Sequence, residues 1–160
     1  MKKIYTRAGF TLAELMAVVA IMAILAGIAL GSYTRSTERA AFMEGLQNAN
    51  ALAAAVDAYY DENQEYPSKY SDMDISISNV TPTNNMQLDS VNFSYIYDKN
   101  LGTIEAQRKA GGNYSIVIYA ESDGPKKADG SLKKDTCKGD VDFCKTMGYS
   151  SCTSNGCVQP

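Results

Sequence analysis

Residues 10–30 read FTLAELMAVVAIMAILAGIAL, 21 positions carrying one charge, Glu14. As a helix rising 1.5 Å per residue, the run covers roughly 31 Å, the thickness of one bilayer hydrocarbon core. The 130 residues after it are polar enough to be soluble and amount to about one small domain. Lys2, Lys3 and Arg7 precede the run with no acidic residue among them. Positive charge ahead of an apolar stretch keeps that flank cytoplasmic, so the rest of the chain faces the outer side. An ordinary secretory signal has a shorter apolar core followed by a small-x-small cleavage site. Here the run is longer, and Gly31-Ser32-Tyr33-Thr34-Arg35 makes a poor site of that kind. A plain anchor accounts for the length but not for Glu14, because a carboxylate in an apolar helix costs a few kcal/mol near the bilayer centre and less near its ends. Glu14 either snorkels to the cytoplasmic interface or pairs with a specific cation in a larger assembly.

Composition narrows the chemistry. The 15 Lys+Arg against 18 Asp+Glu give a net charge of −3, so no broad basic face is on offer and no nucleic acid partner is predicted for the chain alone. There is no histidine, which removes Ser–His and Cys–His pairs and histidine metal sites. No G-x-S-x-G elbow or P-loop is present either. A membrane-anchored periplasmic enzyme is therefore the remote alternative, and no cofactor is called for. Cys137, Cys144, Cys152 and Cys157 all fall in the last 24 residues. An even number at short spacing behind an export-type segment points to disulfides in an oxidising compartment. The rival is a zinc site of four thiolates, which the lack of any C-x-x-C pair disfavours. Asp72, Asp74 and Asp89 do not form a calcium loop of the D-x-[DN]-x-[DN]-G kind.

The stretch Gly9-Phe10-Thr11-Leu12-Ala13-Glu14-Leu15-Met16 resembles the prepilin cleavage motif of type IV pilins and their relatives, the pseudopilins. The resemblance implies that a dedicated prepilin peptidase cuts between Gly9 and Phe10 on the cytoplasmic side, that Phe10 becomes the N-methylated N-terminus, and that Glu14 is the assembly carboxylate. In a dry bundle of such helices a neighbour's amine would pair with Glu14, and a subunit in the wrong axial register would leave a buried charge unpaired. Many family members carry a proline where this chain has Gly31. Gly27 and Gly31 are weak helix formers, each costing about 1 kcal/mol relative to Ala, and supply local flexibility instead. Tyr59-Tyr60-Asp61-Glu62-Asn63-Gln64-Glu65-Tyr66-Pro67 is similar to the Y-Y-x-x-N-G-x-Y-P element that follows this helix in the family, with Gln64 in the place of the usual glycine.

Phe42, Leu46, Ala49, Ala53, Val56 and Tyr60 recur at helical spacing, so one long helix over roughly 10–61 is predicted, half anchor and half core. Leu52, Ala55 and Tyr59 form a second row expected to face neighbours in a polymer. Residues 68–90 read as a linking loop, with a short edge strand at 73–77. Residues 91–97, 103–108 and 114–120 read as three strands of an antiparallel meander laid on the helix. From Asp123 the chain is turn-rich and poor in apolar residues, and in the family a cysteine-closed region staples this part of the head. Four cysteines allow three pairings, and the shortest loops come from Cys137–Cys144 with Cys152–Cys157. The fold class is thus α+β: a long N-terminal helix, apolar then amphipathic, packed on a small antiparallel sheet with a disulfide-closed C-terminal region. The divisions are a leader over 1–9, the transmembrane and assembly half of the helix over 10–33, and a globular head over 34–160.

The function these features imply is a structural subunit of a type IV pilus serving adhesion, motility or DNA uptake, polymerised through its N-terminal helix. The alternative is a pseudopilin of a type II secretion system. The partners are other pilin subunits, the prepilin peptidase, an inner-membrane assembly platform, and membrane lipid before assembly. The location is the bacterial inner membrane, single-pass with the head outside the cytoplasm, and then the extracellular pilus.

Overall fold

The computed structural model describes residues 9–77, 79–120, 135–154 and 156–160. Helix α1 runs Leu12–Asn63. Its residues are shared between two compact units, Met1–Thr37 and Glu38–Pro160. In the first unit the described residues are the start of α1 and its short lead-in. The second holds the remainder of α1 and, after a short 3-10 turn at Tyr70–Asp72, all of the sheet. The strands are β1 (Thr81–Asn84), β2 (Gln87–Asp89), β3 (Phe93–Asp98), β4 (Thr103–Arg108), β5 (Tyr114–Tyr119), β6 (Thr136–Gly139), β7 (Ser150–Thr153) and β8 (Gly156–Val158), with α2 (Val141–Thr146) between β6 and β7. They form one antiparallel sheet in the order β1-β2-β3-β4-β5-β6-β8-β7.

The meander β3-β4-β5 is the centre of this sheet, with Tyr95 opposite Ala106 and Ala106 opposite Ile116. The same row extends outward to Leu88 on one side and to Cys137 and Cys157 on the other. All six residues are buried, and a large Tyr facing a small Ala lets the row close on the helix without a void. From α1 the buried residues are Ala41, Phe42, Gly45, Ala49, Leu52, Ala53 and Val56. Fully burying side chains such as Phe42, Leu52 and Val56 contributes about 1.5–3 kcal/mol each. At Gly45 the helix touches the Phe93 ring so closely that a Cβ would lie 2.7–2.9 Å from three ring carbons. A polar tie runs beside this contact. The Arg108 guanidinium lies 5.5 Å over the Phe93 ring and donates to both carboxylate oxygens of Glu38 at 3.0 and 3.3 Å. It also donates to Asn92, whose amide donates to Glu44 at 2.7 Å.

Several expectations are corrected. Leu52 is fully buried, and Ala55 and Tyr59 pack against the core, so this row faces the sheet and not neighbours. Leu52 lies three residues after Ala49 and four before Val56, which puts it on the same helix face as both. Residues 73–77 are not a strand. The edge strands are β1 and β2, a tight pair across Asn85–Met86 in which the Asn84 side chain accepts from the Met86 N–H at 2.9 Å. Their apolar content is one buried residue, Leu88, too little to show as alternation. The disulfide-closed tail also adds strands that the sequence reading did not include, β6, β8 and β7, which continue the sheet. Part of the turn-rich stretch, residues 121–134, lies outside the described residues.

α1 begins two residues later than expected and ends on a left-handed residue. Gln64 has φ +58° and its N–H donates to the Tyr60 carbonyl at 2.7 Å. This is the helix-stopping position that glycine ordinarily fills.

Candidate functional site: the N-terminal assembly segment

Gly9 and Phe10 precede the helix and are exposed, Phe10 to 90%. Residues 1–8 lie outside the described residues. The Thr11 carbonyl accepts the first intrahelical bond, from the Leu15 N–H at 3.2 Å. The Thr11 N–H donates to Glu14 Oε2 at 2.9 Å, and the Thr11 hydroxyl donates to the same oxygen at 2.8 Å. In return the Glu14 N–H donates to Thr11 Oγ1 at 3.3 Å. This reciprocal arrangement is a capping box, with threonine at the cap and glutamate three residues on, and it satisfies backbone donors that a helix start leaves orphaned. The carboxylate also sits at the positive pole of the helix dipole. Glu14 therefore starts the helix as well as carrying the charge singled out above. Thr11 is the residue that sequence reasoning missed, although T-x-x-E directly ahead of an apolar run is its signature.

The helix surface beyond Glu14 is bare. Leu15, Val19, Met22, Ile24, Ile28 and Leu30 are all exposed, and the most apolar stretch of α1 has none of its residues buried. A continuous apolar surface of this extent does not stay in water and marks contact with lipid or with other apolar helices. The helix continues unbroken through Gly27 and Gly31, where an added Cβ would meet nothing within 4 Å. The first hydroxyls after the run turn back onto the helix. Ser32 donates to the Ala29 carbonyl, Thr34 to Gly31, Ser36 to Ser32 and Thr37 to Thr34, at 2.9–3.2 Å. Such back-bonding satisfies the hydroxyls without water.

At the far end of the chain, disulfides join Cys137 to Cys144 and Cys152 to Cys157, so no free thiolate remains for zinc. The first bond anchors α2, whose cap Asp140 accepts from the Phe143 N–H, to the buried row of the sheet. The second closes the hairpin of β7 and β8. Among the described residues, no group of three or more His, Cys, Asp or Glu side chains is arranged to hold a metal ion.

Comparison with known proteins bears on this segment first. The family described as the prokaryotic N-terminal methylation motif matches residues 5–30. A fimbrial protein of Neisseria meningitidis serogroup A is 41% identical over 70 residues, covering 44% of this chain and 41% of that protein. A type IV major pilin protein, PilE1, of Neisseria gonorrhoeae is 36% identical over 117 residues, covering 64% and 54%. The type II secretion system core protein G of Vibrio cholerae is 34% identical over 84 residues, covering 52% and 56%. The chain thus spans from two fifths to just over half the length of these relatives.

Proposed function

We propose that this chain, which carries an N-terminal methylation motif and is similar to type IV pilins, is the structural subunit of a type IV pilus. It is held in the bacterial inner membrane by α1 with its head outside the cytoplasm, and it polymerises through that helix into an extracellular filament. The observation that carries this reading is the pairing of the matched motif with an apolar helix surface that none of the described residues covers. Lipid covers it before assembly and other copies of the helix cover it afterwards. Moving between those two apolar surroundings costs little hydrophobic free energy, so packing and polar pairing decide the outcome. The processing that goes with the reading is peptidase cleavage between Gly9 and Phe10, methylation of Phe10, and pairing of Glu14 with a neighbour's N-terminal amine. In the free subunit Thr11 holds Glu14 and compensates its charge, and in the filament the amine adds to those hydrogen bonds.

Mass spectrometry of the membrane-extracted protein tests the processing, which requires a chain starting at Phe10 and one methyl heavier than the sequence. A start near residue 34 would mean an ordinary signal peptide and sink the pilin reading. The second reading, a pseudopilin of a type II secretion system, is favoured by the match to the Vibrio cholerae core protein. Electron microscopy of surface filaments with and without this protein separates the two: long shearable fibres that vanish with the protein support the pilus, and lost secretion with no surface fibres supports the pseudopilus.

A further inference from the structure

Among the described residues the head exposes three large apolar side chains, Met43, Val91 and Leu101. Two of them stand on opposite flanks of the head at one level of α1. Met43 lines a groove of about 310 Å³ with Phe42, Leu46, Met147 and Tyr149, on the flank where α2 leads into β7. Val91 is 85% exposed on the turn between β2 and β3. The next residue, Asn92, donates to Glu44 at 2.7 Å, and Phe93 lies against Gly45, so this turn sits beside the same stretch of helix that lines the groove. In the sheet order β3 and β8 are four strand spacings apart, about 19 Å.

The charges divide the same way. Arg39 precedes Met43 by one helical turn and shares its side of α1, whereas Glu44 borders the turn that carries Val91. Arg39 and Glu44 are five residues apart, about 140° around the helix, so they point to different flanks. Among the described residues neither forms an ion pair. An apolar knob with a carboxylate beside it thus stands on one flank, and an apolar groove with a guanidinium beside it on the other. We infer that Val91 of one copy of this chain seats in the groove of Phe42, Met43, Leu46 and Tyr149 on a second copy, with Glu44 of the first against Arg39 of the second. The inference rests on the filament reading above and adds to it a contact between heads. Knob and groove lie on different surfaces, so the contact is head-to-tail. It does not close on a pair, and its repetition builds a ring or a helical array. Opposite charges fix which copies meet and at what level.

The test is oxidative cross-linking of full-length protein, whose own cysteines are already paired. Sheared filaments of a chain carrying both Val91→Cys and Met43→Cys are expected to give a ladder of covalent oligomers, and each single variant is expected to give none. Val91→Glu is expected to lower sheared filament per membrane-bound subunit about tenfold or more, because it drives a charge into an apolar groove. Arg39→Glu is expected to lower it several-fold, and Arg39→Lys to keep it. Val91, Met43 and Arg39 are exposed, so an unchanged melting temperature verifies that the head is folded. Wild-type yield from Val91→Glu or Arg39→Glu, or no ladder from double-cysteine filaments, overturns the inference and leaves the filament reading standing. Covalent dimers from Val91→Cys alone also overturn it, since they mark a two-fold contact of that turn with itself. If the wild-type protein makes no filament, the filament reading itself has failed. The contact is then judged by the same oxidation of the double-cysteine subunits in membranes, where a ladder supports it and the absence of one overturns it.

Discussion

Replacing Gly45 by alanine sets two effects of known sign against each other. In the middle of a helix, Gly→Ala is worth about 1 kcal/mol of stabilisation from propensity alone. At this position the new methyl would lie 2.7, 2.8 and 2.9 Å from three carbons of the Phe93 ring, where comfortable carbon contact needs about 3.5–4.0 Å. The ring or the helix must yield by roughly 0.7 Å or more. Phe93 is fully buried, and its ring is boxed in by Tyr95, Tyr114 and the Arg108 guanidinium. It has nowhere to go, and overpacking of this kind costs about 1–3 kcal/mol. The net expectation is a loss of about 1 kcal/mol, a drop in melting temperature of roughly 3–5 °C for a domain of this size. The assay is thermal unfolding of the detergent-solubilised protein, followed by near-ultraviolet circular dichroism of the buried tyrosines. Gly31→Ala, where nothing lies within 4 Å, is the control and is expected to leave the head transition where it is. A double-mutant cycle isolates the clash: with Phe93→Leu in place, Gly45→Ala is expected to become neutral or stabilising, a coupling of about 1–2 kcal/mol. A Gly45→Ala protein that melts higher than wild type would refute the reasoning.

Other expectations follow from the same geometry. Gln64→Gly relieves a left-handed backbone that disfavours a side chain and is expected to raise stability by up to about 1 kcal/mol, read by denaturant midpoint; a fall would show that the side-chain bonds from Gln64 to the Tyr60 and Asp61 carbonyls matter more. Burial pushes the phenols of Tyr114 and Tyr149 up to about 12 and raises those of Tyr70 and Tyr97 as well. Below pH ~10 these groups are neutral whether folded or unfolded; as pH rises from ~10 towards 12 the unfolded chain releases protons that the folded one keeps, so stability falls by about 1.4 kcal/mol per pH unit for each such group. Tyrosinate absorbance is therefore expected to rise cooperatively with unfolding, and a gradual rise centred near pH 10 would contradict the burial. Removing the Cys137–Cys144 bond by double alanine substitution is expected to cost more than removing Cys152–Cys157, because about 2 kcal/mol of chain entropy is common to both but only the first pair is buried at both ends; equal melting temperatures would refute this. Glu14→Gln is expected to leave the protein inserted and the head folded while filaments disappear; wild-type filament yield would remove the assembly role from Glu14.

Much of this protein is legible in one dimension because its signals are local. An apolar run of 21 residues, the basic residues ahead of it and G-F-T-L-A-E need no partner to be recognised, since helix length against bilayer thickness is a property of the segment alone. The strand at Thr103–Arg108 was readable to the residue, because turn residues bracket it on both sides. The capping box was equally local and was missed only because Glu14 had been read as a charge in search of a cation.

What the tertiary structure decided depends on distant residues. Leu52 shares a helix face with Ala49 and Val56, yet that its row meets the sheet along with theirs is set by where Phe93, Tyr95 and Ile116 arrive. β1 and β2 carry almost no periodic signal and are strands because β3 offers a free edge to pair with. The tail from Thr136 joins the sheet for the same reason: backbone groups at the β5 edge need partners whatever the side chains are, and Cys137 and Cys157 sit in register with Ile116 to receive them. Gly45 looks like a helix weakness in the sequence, and only the Phe93 ring against it makes glycine the residue that fits.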